Sequence, residues 1–288
     1  MPTLTRRQAL TAAGAALLTG ATVGTTAAQE GRRVLKGRLK QSVCRWCYAK
    51  IPLRDFFRSV ADLGLPAVDL LQESEWPIAA EYGLLCSMGQ ITGTGTIPDA
   101  LNVRANHDGI VKNFERGIPL AAKQKIPNVI TFFGNRRGMS DQEAITNCVD
   151  CLNRVKKVAE DNGVTICVEL LNSKVDHKDY QGDHTPFGVA VVKAVASPRV
   201  KLLYDIYHMQ IMEGDLIRTI RDNYEYLAHF HTGGVPGRNE LDDTQEVNWR
   251  TVCDAIADLG FSGYVAHEFI PKRDPMTSLR EAVTLCEV

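Results

Sequence analysis

Three carboxylates and one imidazole stand near the ends of four short apolar runs in the second half of this 288-residue chain. The runs are VTICVELLN (164–172), VKLLYDIYH (200–208), LAHFHTGG (227–234) and GYVAHEF (263–269), and the residues are Glu169, Asp205, His231 and Glu268. Three oxygens and one nitrogen form a ligand set for a single divalent ion, one of Mn, Mg, Co or Zn. A lone buried carboxylate is expensive, so Glu169 and Glu268 each need a positive partner, and such an ion supplies it. It also leaves positions for two substrate oxygens, a carbonyl and its neighbouring hydroxyl. Negative charge developing on those oxygens during proton transfer would be stabilised there. Glu169 and Glu268 are the expected acid–base pair, one taking a proton from the substrate carbon chain while the other returns one.

The spacing of the four residues says what must position them. They lie 36, 26 and 37 residues apart, and each gap fits one strand–helix unit. In a (β/α)8 barrel all four would converge on the C-terminal rim, where that fold carries its chemistry. The rest of the chain keeps the same rhythm. Strands are expected at 42–48, 66–71, 84–91, 129–135, 166–172, 201–208, 228–234 and 263–269. Helical stretches are expected at 52–64, 75–83, 105–124, 140–162, 186–196, 215–227, 248–260 and 278–288. Short β-branched or aromatic runs alternate with amphipathic segments that often end in Gly or Asn, which implies parallel strands with helical crossovers. Eight units in about 250 residues favour one closed α/β barrel, a TIM barrel of a single domain over 39–288. No strand is followed by a GxGxxG or GxxxxGK[ST] turn, so a dinucleotide or P-loop site is not expected.

The bulk numbers agree. Hydrophobic residues make up 44% of the chain, enough for one large core, and 33 basic residues against 34 acidic ones give a charge of −1. No basic patch is visible, which speaks against nucleic acid as a partner. No apolar stretch reaches the roughly 20 residues of a membrane span. The partner expected is a small molecule offering a carbonyl and a neighbouring hydroxyl, and self-association into a homo-oligomer is compatible with the composition. Residues 1–28 carry Arg6 and Arg7, a modest Ala/Leu/Gly run and a small-residue site at Thr26-Ala27-Ala28. That order resembles a twin-arginine export signal and predicts a periplasmic protein. Residues 29–38 read as a charged linker.

Several other residues border the expected site. His208 lies three positions beyond Asp205 and is assigned to substrate hydrogen bonding. Arg238 follows the flexible segment GGVPG, where its guanidinium can hold a carboxylate or hydroxyl. His184, His229 and Lys174 are weaker candidates, and Trp46 either walls the pocket or fills the barrel. Of eight cysteines, Cys44/Cys47 and Cys148/Cys151 form C-x-x-C pairs. They are too far apart for a zinc ribbon, and the second pair sits inside a helical pattern.

At these residues the chain resembles the hydroxypyruvate isomerase branch of the sugar isomerase/epimerase-like (xylose isomerase-like) TIM barrels. The matching pieces are VELLNSK (168–174), YDIYHMQ (204–210), HFHTGGVPGRNELD (229–242) with EVNW (246–249), and HEFIP (267–271). The resemblance implies a metal bound by Glu169, Asp205, His231 and Glu268, acid–base work by the two glutamates, and substrate contacts from His208 and Arg238. It implies an aldose–ketose isomerase acting on hydroxypyruvate or a similar small sugar or sugar acid. A ketose 3-epimerase is the alternative, and His231 favours it, since histidine is the usual choice there. An endonuclease of the same superfamily would need more strand-end histidines and a basic groove. A non-catalytic periplasmic sugar-binding barrel would not need the pair Glu169 and Glu268.

Overall fold

In the computed structural model, residues 33–288 are described; the expected export signal lies outside them. Eight parallel strands alternate with helices. They are β1 (Lys40–Val43), β2 (Ala67–Gln72), β3 (Leu85–Gln90), β4 (Asn128–Phe132), β5 (Thr165–Leu170), β6 (Val200–Asp205), β7 (Leu227–Thr232) and β8 (Tyr264–His267). The helices are α1 (Leu53–Asp62), α2 (Trp76–Glu81), α3 (His107–Lys123), α4 (Asp141–Asn162), α5 (Thr185–Val195), α6 (Ile206–Met212), α7 (Leu216–Asn223), α8 (Trp249–Asp258) and α9 (Pro275–Leu285).

The hydrogen-bonded order runs β1-β8-β7-β6-β5-β4-β3-β2, and a parallel bridge between Cys44 and Asp69 joins the two ends. The barrel is therefore nearly closed. Helix boundaries follow local chemistry. The Ser140 hydroxyl accepts from Glu143 N to start α4, and Gly163, at φ 67°, ends it in the left-handed conformation that glycine tolerates. Asn248 and Asp274 cap α8 and α9 in the same way.

Strand residues alternate between two cores. Ile166, Val168, Leu202, Tyr204, Phe230 and Val265 pack outward against the helices. Cys167, Leu203 and Ala266 join Cys44, Leu70, Met88 and Ile130 in a small cluster inside the barrel. The next inward position, two residues on, is Glu169, Asp205 and Glu268 respectively.

Three elements differ from the sequence reading. The first strand stops at Val43, and Arg45–Tyr48 form a 3-10 turn, so Trp46 stands above the barrel mouth. The sixth ends at Asp205, and His208 lies on α6. Asp205 causes that switch, because Oδ1 accepts from His208 N at 3.2 Å and caps the helix. In β2 the register shifts on both sides of Asp69, and Leu70 takes a positive φ of 54°. This bulge turns two consecutive side chains inward, which strict alternation would not do. Among the described residues, no helix is long and apolar enough to cross a membrane.

Candidate metal centre and active site

Parallel register carries the four sequence-picked residues together. Asp205 lies opposite His231 across the β6–β7 pair, and His231 pairs with Ala266, two residues before Glu268. Ligand atoms of Glu169, Asp205, His231 and Glu268 all lie within 4.8 Å of one another, and all four residues are buried. His231 Nδ1 is 2.6 Å from Glu268 Oε2, 3.3 Å from Glu169 Oε1 and 3.9 Å from Asp205 Oδ2. It makes no hydrogen bond in this position.

The other ring nitrogen explains this. His231 Nε2 lies 2.8 Å from Asp69 Oδ2. Asp69 is fully buried, and it also meets His229 Nε2 at 3.0 Å and accepts from Ser87 Oγ at 2.6 Å. Burial alone would raise its carboxyl, but the two histidines hold it below the usual range. An ionised Asp69 keeps the proton of His231 on Nε2, leaving the Nδ1 lone pair aimed at three carboxylates. That is the arrangement in which a second carboxylate orients a metal-binding histidine. Lone pair and carboxylates together match the donor set of a divalent cation. Burial opposes a charge on His231, but Glu268, Cys44 and Asp69 together reverse it and raise its pKa well above the usual value, so that without an ion Nδ1 would hold a second proton, which a divalent cation would displace.

Sequence reasoning missed Asp69. The available signal was an acid inside the apolar run PAVDLL, at a depth where a charge needs partners.

Arg238 reaches the cluster from the β7–α8 connection. Gly234 N donates to Asn239 O at 2.9 Å, and Ile270 N donates to Arg238 O at 2.7 Å. A Cβ on Gly234 would meet Glu240 O at 2.2 Å, so glycine is required for this fold-back. Arg238 Nε then donates to Glu268 O at 3.0 Å, Nη2 donates to Asp205 Oδ2 at 2.6 Å, and Nη2 also contacts Glu268 Oε2. One guanidinium against three carboxylates leaves room for a divalent charge.

His208 is buried and receives Arg238 Nη1 on its Nε2 at 2.7 Å. Burial and the neighbouring guanidinium push its pKa well down, keeping it neutral. Its other side rests on Asn172, which donates to Asp176, as does the Tyr207 hydroxyl.

The two glutamates sit in opposed environments. Burial, together with Glu268, raises the carboxyl of Glu169. Burial acts the same way on Glu268, but Arg238 and His231 reverse it and hold this carboxyl low. Trp46 Nε1 donates to Glu268 Oε1 at 2.5 Å, so Trp46 walls the site.

A cavity of about 570 Å³ opens over these groups, with Glu169, His208, Arg238 and Glu268 in its lining. The weaker candidates lie elsewhere. Lys174 caps α6 by donating to the Ile211 and Met212 carbonyls. His184 pairs with Asp183, and His229 sits below the site on Asp69. Cys148 and Cys151 are buried on α4, and the cysteines of the described residues are all free thiols.

Comparison with known proteins places this geometry. The chain is 36% identical over 124 residues to the D-psicose 3-epimerase of Ruminiclostridium cellulolyticum, covering 42% of this chain and 39% of that one. It is 31% identical over 114 residues to the hydroxypyruvate isomerase of Escherichia coli, covering 38% and 44%. The chain thus spans about two fifths of the length of the curated relatives it matches. Among solved structures, the AP endonuclease, family 2, from Brucella melitensis superposes with a TM-score of 0.75 at 20% identity, over 84% of this chain and 97% of that one. The last likeness speaks for the fold alone. A family profile described as xylose isomerase-like TIM barrel matches residues 52–286, the strand–helix units from α1 to α9 that build the barrel. The chain belongs to the xylose isomerase-like TIM barrel family.

Proposed function

We propose that the protein is a metal-dependent carbohydrate isomerase or epimerase that moves a proton at the carbon beside a carbonyl. One observation carries this reading. Two glutamates from β5 and the end of β8 face one buried site with Asp205 and His231, all four offering ligand atoms within 4.8 Å of one another. Two carboxylates placed in this way can exchange protons with a carbon held beside them. A divalent ion would be held by Glu169, Asp205, His231 and Glu268, and when bound it supplies positive charge beside the substrate oxygens.

The remaining chemistry belongs to the chain. Glu268, kept ionised by Arg238 and oriented by Trp46, removes the proton from the carbon. Glu169 returns one to the substrate. Arg238 binds substrate oxygens, and neutral His208, which accepts from Arg238 Nη1 and lines the same cavity, is the further substrate contact. Burial of the whole cluster keeps water from competing for the transferred proton.

Two substrate readings remain. The relative named hydroxypyruvate isomerase supports an aldose–ketose shift on a three-carbon acid. The relative named D-psicose 3-epimerase supports inversion at a ketose carbon, and it shares more of this chain. Both need the same pair of glutamates. The test is turnover of Mn²⁺-loaded protein in D₂O, with Glu169→Gln and Glu268→Gln alongside. Substrate should gain deuterium at the reacting carbon, and each variant should lose about 10²–10⁴-fold in kcat. Near-normal turnover by Glu268→Gln would end the proposal.

A further inference from the structure

We infer that the site takes a neutral hydroxyketone carrying a second unit, such as a glycosylated ketose, in place of a three-carbon acid. This rests on the proton-transfer reading above and extends it to substrate class. Size is the first argument. The cavity measures about 570 Å³. A three-carbon acid displaces on the order of three waters, about 90 Å³, and a free hexose about twice that. Cavities of about 300–1,000 Å³ bury most of the surface of a drug-sized ligand, well beyond three carbons.

The walls are the second argument. The reacting groups form one tight cluster, within 4.8 Å of one another. Much of the remaining lining is apolar, including Ile97, Ile130 and Phe132. A three-carbon acid is polar throughout and would leave those walls uncovered. At the mouth stand Trp46, Val175 and Ile270, which are 45%, 63% and 44% exposed. They are three of the five large hydrophobic residues left exposed among the described residues, and all three line this cavity. An exposed apolar patch gathered at a pocket marks a ligand surface. The C–H face of a pyranose packs on such a surface, with an indole as its usual platform.

Charge is the third argument. Among the described residues lining the cavity, Arg238 is the one permanent cation. Its charge is already balanced by Asp205 and Glu268, and Nη1, which donates to His208, keeps one hydrogen for a neutral hydroxyl. A substrate carboxylate would enter beside Glu169, Asp176 and Glu268 with no uncommitted side-chain cation to receive it. A neutral substrate meets no such penalty.

The experiment uses the Mn²⁺-loaded protein with three probes: hydroxypyruvate, fructose and the glucosyl-fructose isomaltulose. Deuterium uptake from D₂O reports proton transfer for each. The expected result is a kcat/KM for isomaltulose at least tenfold above that for hydroxypyruvate. Val175→Asp, at the apolar mouth, should cut the isomaltulose value about tenfold more than the hydroxypyruvate value. Deuterium uptake confined to hydroxypyruvate would overturn the inference and leave the proton-transfer reading standing. So would a Val175→Asp variant that slows both probes equally. No uptake by any probe would remove both.

Discussion

Asp69→Asn tests the logic of the site at a residue that would touch neither ion nor substrate. The carboxylate is buried and receives Nε2 of His231 at 2.8 Å and of His229 at 3.0 Å on one oxygen, with Ser87 Oγ at 2.6 Å on the other. Asparagine has the same shape, so the barrel should fold. Two outcomes are open to the amide. With Oδ1 toward the histidines both bonds persist but lose their charge. A bond to a charged group contributes about 1.5–3 kcal/mol and a neutral one about 0.5–1.5, so each weakens by about 1 kcal/mol. With Nδ2 toward them, His231 must move its proton to Nδ1 and lose the lone pair that faces the carboxylates. Between these limits, Mn²⁺ affinity should fall about 10–100-fold, equivalent to about 1.4–2.8 kcal/mol. Calorimetric titration of chelator-stripped protein measures this, and a circular-dichroism melt confirms the fold. His229→Gln is the control. It removes the second histidine from Asp69 but leaves the His231 bond, so Mn²⁺ affinity should stay close to that of the parent. Unchanged affinity in Asp69→Asn, with His231 still protonated on Nε2 by ¹⁵N NMR, would refute the reasoning.

Three further outcomes are expected. Asp205→Ala should lose the bound ion by elemental analysis, and it should also loosen α6, because Asp205 Oδ1 caps that helix through His208 N. Stoichiometric metal in that variant would show that other ligands hold it. Tyr180→Phe should destabilise the fold by about 1–3 kcal/mol, since the hydroxyl accepts from Phe133 N and donates to Glu169 O, both at 2.8 Å; for a domain of this size that lowers Tm by about 2–4 °C per kcal/mol. Replacing Arg6 and Arg7 with lysine should keep the precursor in the cytoplasm if this pair is the export address; normal export of the double variant, followed by cell fractionation, would show that it is not.

Much of the barrel and its polar rim is legible in the chain itself. Strands with one face toward a filled barrel and the other toward helices read as short apolar runs, and those runs are local. The four candidate ligands stand out because each is a polar residue at the end of such a run, where the inward face first meets solvent. Period 2 then puts Glu169, Asp205 and Glu268 two residues beyond Cys167, Leu203 and Ala266, on the same inward face. The remaining features depend on contacts between segments far apart in sequence. Asp69 points inward because β2 bulges and Leu70 takes a positive φ, and its role exists only because β7 brings His229 and His231 to the same oxygen, 160 and 162 residues away. Trp46 reaches Glu268 because the first strand ends early and closes against the last one, 222 residues on. Arg238 enters the cluster because Gly234 lets one loop fold back onto the end of β8. Local patterning decides which face of a strand a side chain takes, whereas closure of the barrel decides which side chains then meet, and that closure is a property of the whole sheet.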